Sequence, residues 1–240
     1  MGLGAQWKLR DNPAADEAPL AVSPAPSFLG DSAPPRPTPT LAAAEGRGAA
    51  IATMEWDALR AAVAGCDACM LCQERKQAVL GVGDVNADWL FVGEGPGAEE
   101  DERGEPFVGQ AGKLLDAMLA AIDLRRGEDV YIANAVKCRP PGNRTPEAEE
   151  AAACWPYLER QIELIRPKLI VALGKPAAQT LLQAEVKVGA SRGRLFDYKG
   201  IPLIVTYHPA YLLRSLADKA KAWEDLCFMR RTMRELKEKA

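Results

Sequence analysis

Six cysteines and a single histidine are the residues of this 240-residue chain that offer the most chemistry. Four of the cysteines form two spaced pairs: Cys66 with Cys69, and Cys138 with Cys154. Four thiolates can hold a tetrahedral zinc ion or a [4Fe-4S] cluster, and the spacing alone does not choose between them. Cys72 and Cys227 are left over. We predict that both are small buried residues, although Cys72 continues a C-x2-C-x2-C run.

Polar residues follow short apolar segments that we predict to be buried strands, rich in Val, Ile and aromatic residues. The segments are residues 89–92, 130–136, 169–173 and 201–207. Glu94 and the only histidine, His208, lie just beyond the first and fourth segments, and Asn134 lies near the carboxyl end of the second. Ligands of an open parallel sheet bind outside these ends, so we expect the functional site there. The third segment is followed by Gly174-Lys175-Pro176, which we interpret as an ordinary strand-to-helix turn.

The first of these loops also matches a nucleotide-binding pattern. Gly93, Gly95 and Ala98 fit the loose G-x-G-x-x-A fingerprint of dinucleotide-binding loops. Residues 99–102 are all acidic, however, and four carboxylates would repel a pyrophosphate from the N-terminus of the following helix. We therefore expect no nucleotide cofactor.

Helical patterns alternate with the predicted strands and must position these loops. The predicted helices are a short one from Trp56, residues 111–124, 146–165 and 176–182, and a terminal one over 217–240. Thr145 before Pro146 predicts an N-cap and a first helical turn, and Pro156 is expected to kink or split that helix. The alternation predicts a three-layer α/β/α domain with a central four-stranded parallel sheet.

Composition limits the class of protein. Lys and Arg total 30 against 33 Asp and Glu, a formal net charge of −3, which excludes a generally basic nucleic-acid coat. No stretch approaches the roughly 18 consecutive apolar residues of a spanning helix, and no signal peptide is evident, so we expect a cytoplasmic protein without membrane contact. Residues 1–50 hold 8 of the 18 Pro and 12 Ala. They are predicted to be a disordered extension of a single domain over residues 51–240.

Taken together, four motifs resemble those of the family 4 uracil-DNA glycosylases, which are iron-sulfur enzymes of bacteria and archaea. The motifs are Gly93-Glu94-Gly95-Pro96-Gly97, Pro106-Phe107-Val108-Gly109, Asn134 before Lys137-Cys138-Arg139-Pro140-Pro141, and His208-Pro209 through Arg214. The resemblance covers residues 56–233 and implies a four-stranded parallel sheet between helices. A related branch that bonds covalently to DNA carries a histidine after the second strand, and residues 139–144 contain none. The absence of this histidine argues against membership of that branch.

The resemblance implies roles for individual residues. Asn134 would read the edge of uracil, Phe107 would stack on its ring, and Glu100 would exclude the methyl group of thymine. His208 would face uracil O2, and Asn143 would line the pocket. The implied cofactor is a structural [4Fe-4S] cluster, and its ligands would be Cys66, Cys69, Cys138 and Cys154.

The chemistry of the reaction fits these roles. Hydrolysis of an N-glycosidic bond develops positive charge on the sugar and negative charge on the departing uracil. Glu94 is the candidate that positions water or stabilises the cationic sugar. His208, helped by backbone N–H groups around Glu94 and Gly95, is the candidate donor to the leaving group.

The substrate base must leave the DNA stack before it can react. Leu212 or Leu213 is expected to fill the gap, and Arg214 adds a cation beside them. Residues 130–144 carry three cations and no acid, and residues 187–214 carry five cations against Asp197 alone. We therefore expect a monomer that binds uracil-containing DNA through these loops. The rival interpretation is a non-catalytic iron-sulfur module of replication or repair complexes.

Overall fold

The structure, a computed structural model, describes residues 41–239, with side chains from residue 46 onward. Its helices are α1 (Leu41–Ala52), α2 (Trp56–Ala64), α3 (Ala98–Arg103), α4 (Gln110–Ala120), α5 (Ala148–Ile165), α6 (Lys175–Leu182), α7 (Val188–Ser191), α8 (Pro209–Arg214) and α9 (Lys219–Glu238). Its strands are β1 (Val82–Gly83), β2 (Trp89–Gly93), β3 (Val130–Asn134), β4 (Leu169–Leu173), β5 (Leu195–Tyr198) and β6 (Ile201–Thr206). Short 3₁₀ turns cover Met70–Cys72, Pro141–Asn143 and Leu216–Asp218.

The sheet contains the four predicted strands and two more. Its order is β1-β3-β2-β4-β6-β5, and the four central strands, β3, β2, β4 and β6, run parallel to one another. The edge strands β1 and β5 are antiparallel to β3 and β6. The sheet is therefore mixed and six-stranded, and the prediction of a four-stranded parallel sheet is wrong in this detail. Neither edge strand has a long apolar run, since β1 has two residues and β5 begins with the exposed Leu195.

Both faces of the central strands are covered by helices. Alternate strand residues such as Phe91 and Ile132 pack with residues of α4, α8 and α9. The intervening residues, such as Leu90 and Ala133, pack with residues of α5 and α6 on the other face. Strands that bury both faces read as continuous apolar segments, which is why the sequence pattern locates them. The three-layer arrangement is as predicted.

Helix α5 differs from its prediction at two points. Its N-cap is Glu147, whose backbone N–H donates to the Glu150 carboxylate in a capping box, so the predicted cap at Thr145 is wrong. The Thr145 side chain is hydrogen-bonded to Glu94 instead. The helix also continues through Pro156, so the predicted split is wrong. One face of α5 is buried along its length, and this tertiary packing outweighs the loss of one backbone hydrogen bond.

The ordered domain begins earlier than predicted. Residues 41–50 lie in α1, so their assignment to a disordered extension is wrong. Arg47 donates to the Ala153 carbonyl oxygen at 2.8 Å and lies over the Tyr157 ring, and Ile51 is buried against α5 residues. The prediction for residues 1–40 lies outside the described residues. None of the helices between residues 41 and 239 is long and apolar enough to cross a membrane.

Candidate active site and cysteine cluster

The loops after the parallel strands meet in one pocket. Of the predicted site residues, eight line it: Glu94, Gly95, Glu100, Phe107, Asn134, Asn143, His208 and Arg214. The pocket also includes Gly174, Lys175 and Pro176, the turn after β4 that sequence reasoning dismissed as ordinary. Their position beyond a parallel strand is the signal that could have identified them.

Asn134 ends β3 with its side chain buried in this pocket. It is 2% exposed, and its Oδ1 atom has no hydrogen-bond partner in the described part of the chain. Gly93 makes room for it, because a Cβ atom there would lie 2.5 Å from Asn134 Oδ1 and 2.5 Å from Phe107 Cζ. A buried acceptor without a partner is costly unless a ligand supplies the donor.

Phe107 is held in a left-handed backbone conformation, with φ of 56°. Two hydrogen bonds of 2.8 Å from Arg126 fix the carbonyl oxygens of Pro106 and Phe107. Gly112 allows the close approach of α4, because a Cβ atom there would lie 1.7 Å from the Phe107 oxygen. A strained backbone conformation of this kind persists only where several surrounding contacts hold it in place. The ring is thereby presented to the pocket, stacked on His208 at 5.4 Å between centroids.

His208 caps the N-terminus of α8. The Ala210 backbone N–H donates to its Nδ1 atom at 3.1 Å. Burial of the ring, and secondarily the Arg214 cation, lowers the pKa of His208 to about 4, while Glu100 opposes the shift. The imidazole is therefore neutral near pH 7, and because Nδ1 accepts a hydrogen bond, the proton is on Nε2.

Glu94 and Gly95 follow β2. Burial raises the pKa of the Glu94 carboxyl group, and a hydrogen bond with the Thr145 side chain opposes that shift. The Val136 N–H donates to the Glu94 carbonyl oxygen at 3.1 Å, which extends the β2–β3 pairing into the loops. A Cβ atom at Gly95 would lie 2.7 Å from Val136 Cγ2, so a larger residue would separate the two loops.

Glu100 holds the loop that carries Phe107. Its Oε1 atom accepts hydrogen bonds from the backbone N–H groups of Val108 and Gly109 at 2.9 and 3.0 Å. Its Oε2 atom accepts one from Gly97 at 3.1 Å. This role could not be read from the sequence, because it depends on contacts between a side chain of α3 and the backbone of the loop that follows that helix. Asn143 is an exposed residue of the pocket lining, and its Oδ1 atom accepts a hydrogen bond from Arg139 Nε at 2.7 Å.

The two leucines after His208 have different environments. Leu212 is 1% exposed and packs in the core with residues of α4 and α9, so it is not available to DNA. This burial corrects the expectation that either leucine can fill a gap in the base stack. Leu213 is 41% exposed and is the remaining candidate. Tyr211, which sequence reasoning missed, lines the pocket and stacks on Tyr207 at 5.2 Å between centroids.

The four paired cysteines line a second, smaller cavity together with Cys72. Arg75 donates to Cys138 Sγ at 2.8 Å, and Arg47 donates to Cys66 Sγ at 3.7 Å. The backbone N–H of Lys137 donates to Cys154 Sγ at 3.2 Å. Guanidinium and N–H donors aimed at sulfur suit thiolates that hold a cluster, so the donor set fits an iron-sulfur group.

Burial is the main influence on the pKa values of the cysteines in this cavity. It raises the pKa of the Cys138 thiol to about 11 and that of Cys154 to about 12. The pKa of Cys69 is raised for the same reason. Among the described residues, no three His, Cys, Asp or Glu side chains form a site for a single metal ion. Cys72 is half-buried and Cys227 is exposed, so the prediction that both are buried is wrong.

Comparison with known proteins identifies the class that this fold and pocket define. The family model described as the Uracil DNA glycosylase superfamily matches residues 80–227, more than half of the chain. The chain therefore belongs to the uracil-DNA glycosylase superfamily, and the resemblance found in the sequence is confirmed.

Individual relatives place the chain among the type-4 members of that superfamily. It is 44% identical to the type-4 uracil-DNA glycosylase of Pyrobaculum aerophilum over 184 residues, which cover 72% of this chain and 92% of the relative. It is 48% identical to the type-4 enzyme of Thermotoga maritima, over 65% of this chain and 82% of the relative. The type-4 enzyme of Archaeoglobus fulgidus is also 48% identical, over 63% of this chain and 79% of the relative.

Proposed function

We propose that this chain is a monofunctional uracil-DNA glycosylase that flips uracil out of DNA and hydrolyses its N-glycosidic bond, leaving an abasic site for repair. One observation carries the proposal: a single pocket brings together Glu94, Phe107, His208 and the buried Asn134, whose amide oxygen has no hydrogen-bond partner among residues 46–239. The names of the type-4 relatives agree with it.

Base recognition is assigned to Asn134 and Phe107. Uracil presents an N3–H donor next to its O4 acceptor, and a side-chain amide matches that pair by accepting at Oδ1 and donating from Nδ2. Cytosine has an acceptor at N3 and an amino group at C4, so an amide held in this orientation would have both of its groups unpaired. The Phe107 ring would stack on the flipped base, and Glu100 would crowd its C5 position against the thymine methyl group.

His208 is assigned to the leaving group. Negative charge develops on uracil as the glycosidic bond breaks, and a neutral Nε2–H can donate to O2 without transferring its proton. The Ala210 N–H fixes this tautomer by occupying Nδ1. Backbone N–H groups near Gly95 would also donate hydrogen bonds to the negative charge that develops on uracil.

Glu94 is assigned to the sugar side of the bond. A carboxylate there can orient the attacking water or stabilise positive charge on the sugar. The hydrogen bond with Thr145 favours the charged form and limits the upward pKa shift that burial causes. Thr145 therefore supports the role of Glu94, in addition to lining the pocket.

DNA binding is assigned to the exposed end of α8 and its surroundings. Leu213 would fill the space that the flipped base leaves, and Arg214 would contact the backbone near the pocket. We also propose that the enzyme acts as a cytoplasmic monomer, because its substrate is cellular DNA and a single chain supplies the whole pocket.

The second cavity is assigned to a [4Fe-4S] cluster with Cys66, Cys69, Cys138 and Cys154 as its ligands. The cluster would be structural and would tie the loop after β3 and helix α5 to the N-terminal cysteine pair. Iron and sulfide near four each per chain, in a brown protein, would support this assignment. Zinc in a colourless protein would refute it.

The rival function is a non-catalytic iron-sulfur module of a repair complex, which has no use for all four pocket residues. Incubation of the purified chain with a uracil-containing oligonucleotide, followed by alkaline cleavage at abasic sites, separates the two. We expect strand cleavage that depends on uracil. An iron-loaded, folded protein that leaves the oligonucleotide intact would support the module instead.

A further inference from the structure

Lys137 is the only buried lysine among residues 46–239, with 1% of its surface exposed. An ammonium group is costly to bury unless acceptors surround it. Its Nζ atom donates to the backbone carbonyl oxygen of Asn134 at 2.8 Å and to Gln161 Oε1. The side chain thus turns back over three residues to hold the end of β3.

Gln161 is itself fixed in place. It is fully buried on α5, and its Nε2 atom donates to the Leu80 carbonyl oxygen at 3.0 Å and to the Tyr131 hydroxyl oxygen at 3.2 Å. Lys137 is therefore anchored by an acceptor with little freedom to move. Hydrogen bonds in a buried, low-dielectric environment are stronger than in water and hold their members more firmly.

The backbone of Lys137 contacts the cysteine cavity. Its N–H donates to Cys154 Sγ at 3.2 Å, and the next residue is Cys138. One residue thus touches the cysteines through its main chain and Asn134 through its side chain. The two contacts are separable, because substitution of the side chain leaves the backbone N–H in place.

Asn134 needs such support. Its Oδ1 atom has no partner among the described residues, so no hydrogen bond to that oxygen fixes the amide before substrate binds. The direction of the amide then depends on the backbone of Asn134 and on packing by Gly93 and Phe107. Without Lys137, the buried carbonyl oxygen of Asn134 would lose a donor.

We propose that Lys137 is a positioning residue for uracil recognition: through the Asn134 carbonyl it fixes the amide that reads the base. The inference rests on the role proposed above for Asn134. Lys137 contacts neither the substrate nor the reacting atoms.

A double-mutant cycle tests this inference. Lys137→Met keeps an unbranched apolar stem, one atom shorter, and removes the donor. In the unaltered background we expect the single-turnover rate on uracil to fall by about 10- to 100-fold, by analogy with the loss of hydrogen bonds that orient metal ligands. In an Asn134→Ala background the same change should lower the rate by less than about threefold, because the residue that Lys137 positions is gone.

Iron content provides a readout that does not depend on activity. Because the Lys137 N–H remains, we expect Lys137→Met to retain the iron of the unaltered protein. Lys168→Met is the matched control, since Lys168 pairs with Asp88 at the amino ends of β2 and β4, away from the pocket. We expect that control to change neither iron content nor rate.

Gln161→Met is the second variant if Lys137→Met does not fold, because it removes the acceptor that anchors Lys137, together with the donor to the Leu80 and Tyr131 oxygens. It should lower the rate in the same direction and show the same dependence on Asn134. Equal fold-losses with and without Asn134, or loss of iron in step with the rate, would overturn the inference and leave Lys137 a merely structural residue. A failure of the unaltered, iron-loaded chain to release uracil would instead refute the proposed function.

Discussion

Replacing His208 with alanine tests the neutral donor to uracil O2. The Ala210 N–H occupies Nδ1, so the proton on Nε2 is the one that the ring can offer. Loss of one preorganised donor to a developing oxyanion lowers the rate by on the order of 10²- to 10³-fold, or about 2.7–4 kcal/mol of transition-state stabilisation. Because Asn134 reads the base separately, the preference for uracil should not change. His208→Gln, which keeps an N–H donor, is expected to recover part of the rate.

The pH dependence follows from the same geometry. Burial and the Arg214 cation hold the pKa of His208 at about 4, below the usual value of about 6.5. At pH 6, about 1% of the rings would then be charged, against about three quarters of unshifted ones. The contribution of His208 to the rate should therefore stay constant as the pH falls through 6.5, and it should change only near pH 4.

Single-turnover assays with excess enzyme on a uracil oligonucleotide, from about pH 5 to pH 8, measure both effects. Full activity of His208→Ala would refute the role of the histidine. A step near pH 6.5 that is present in the unaltered protein and lost in His208→Ala would show that the ring titrates normally. In that case its neutral state would not be part of the mechanism.

The remaining predictions concern recognition, DNA contact and the cysteine cavity. Asn134→Asp should lower the rate of uracil release by roughly 10²-fold or more, because it removes the donor to O4 and adds a negative charge. It should also reduce the ratio of the uracil rate to the cytosine rate. An unchanged ratio in competition assays would contradict this prediction. Leu213→Ala should slow uracil removal from duplex DNA roughly tenfold while sparing single strands. Leu212→Ala, its matched partner, should instead reduce the free energy of unfolding by about 2–5 kcal/mol, and denaturant titration of both variants distinguishes the two roles. Cys138→Ser should lower iron content and thermal stability more than the rate per iron-loaded chain, and a fully stable variant with normal iron would exclude Cys138 as a ligand.

The central strands and the polar residues at their ends could be predicted from the sequence. Strands buried on both faces appear as apolar runs, and parallel strands bring their carboxyl ends to one edge. The positions of Glu94, Asn134 and His208 follow from those two facts. The gathering of these residues in one pocket therefore required no knowledge of side-chain contacts.

Other features depend on contacts that a local pattern does not contain. The cap of α5 lies at Glu147, where the Glu150 side chain completes a capping box, and the Thr145 side chain interacts with Glu94 on the loop after β2. Helix α1 is composed mainly of Ala and Gly and has a weak apolar pattern, yet Arg47 and Ile51 fix it against α5. Leu212 and Leu213 are adjacent and chemically identical, and only the packing of α8 distinguishes the buried residue from the exposed one.

A crystal structure of the iron-loaded chain with uracil and abasic DNA, the products of the reaction, tests the assigned geometry most directly. We predict uracil stacked on Phe107, with Asn134 Oδ1 accepting from N3–H and His208 Nε2 donating to O2, each within about 3.2 Å. Leu213 should occupy the gap in the duplex. Uracil bound outside this pocket, or bound in it with Asn134 and His208 turned away from the base, would contradict the assignment.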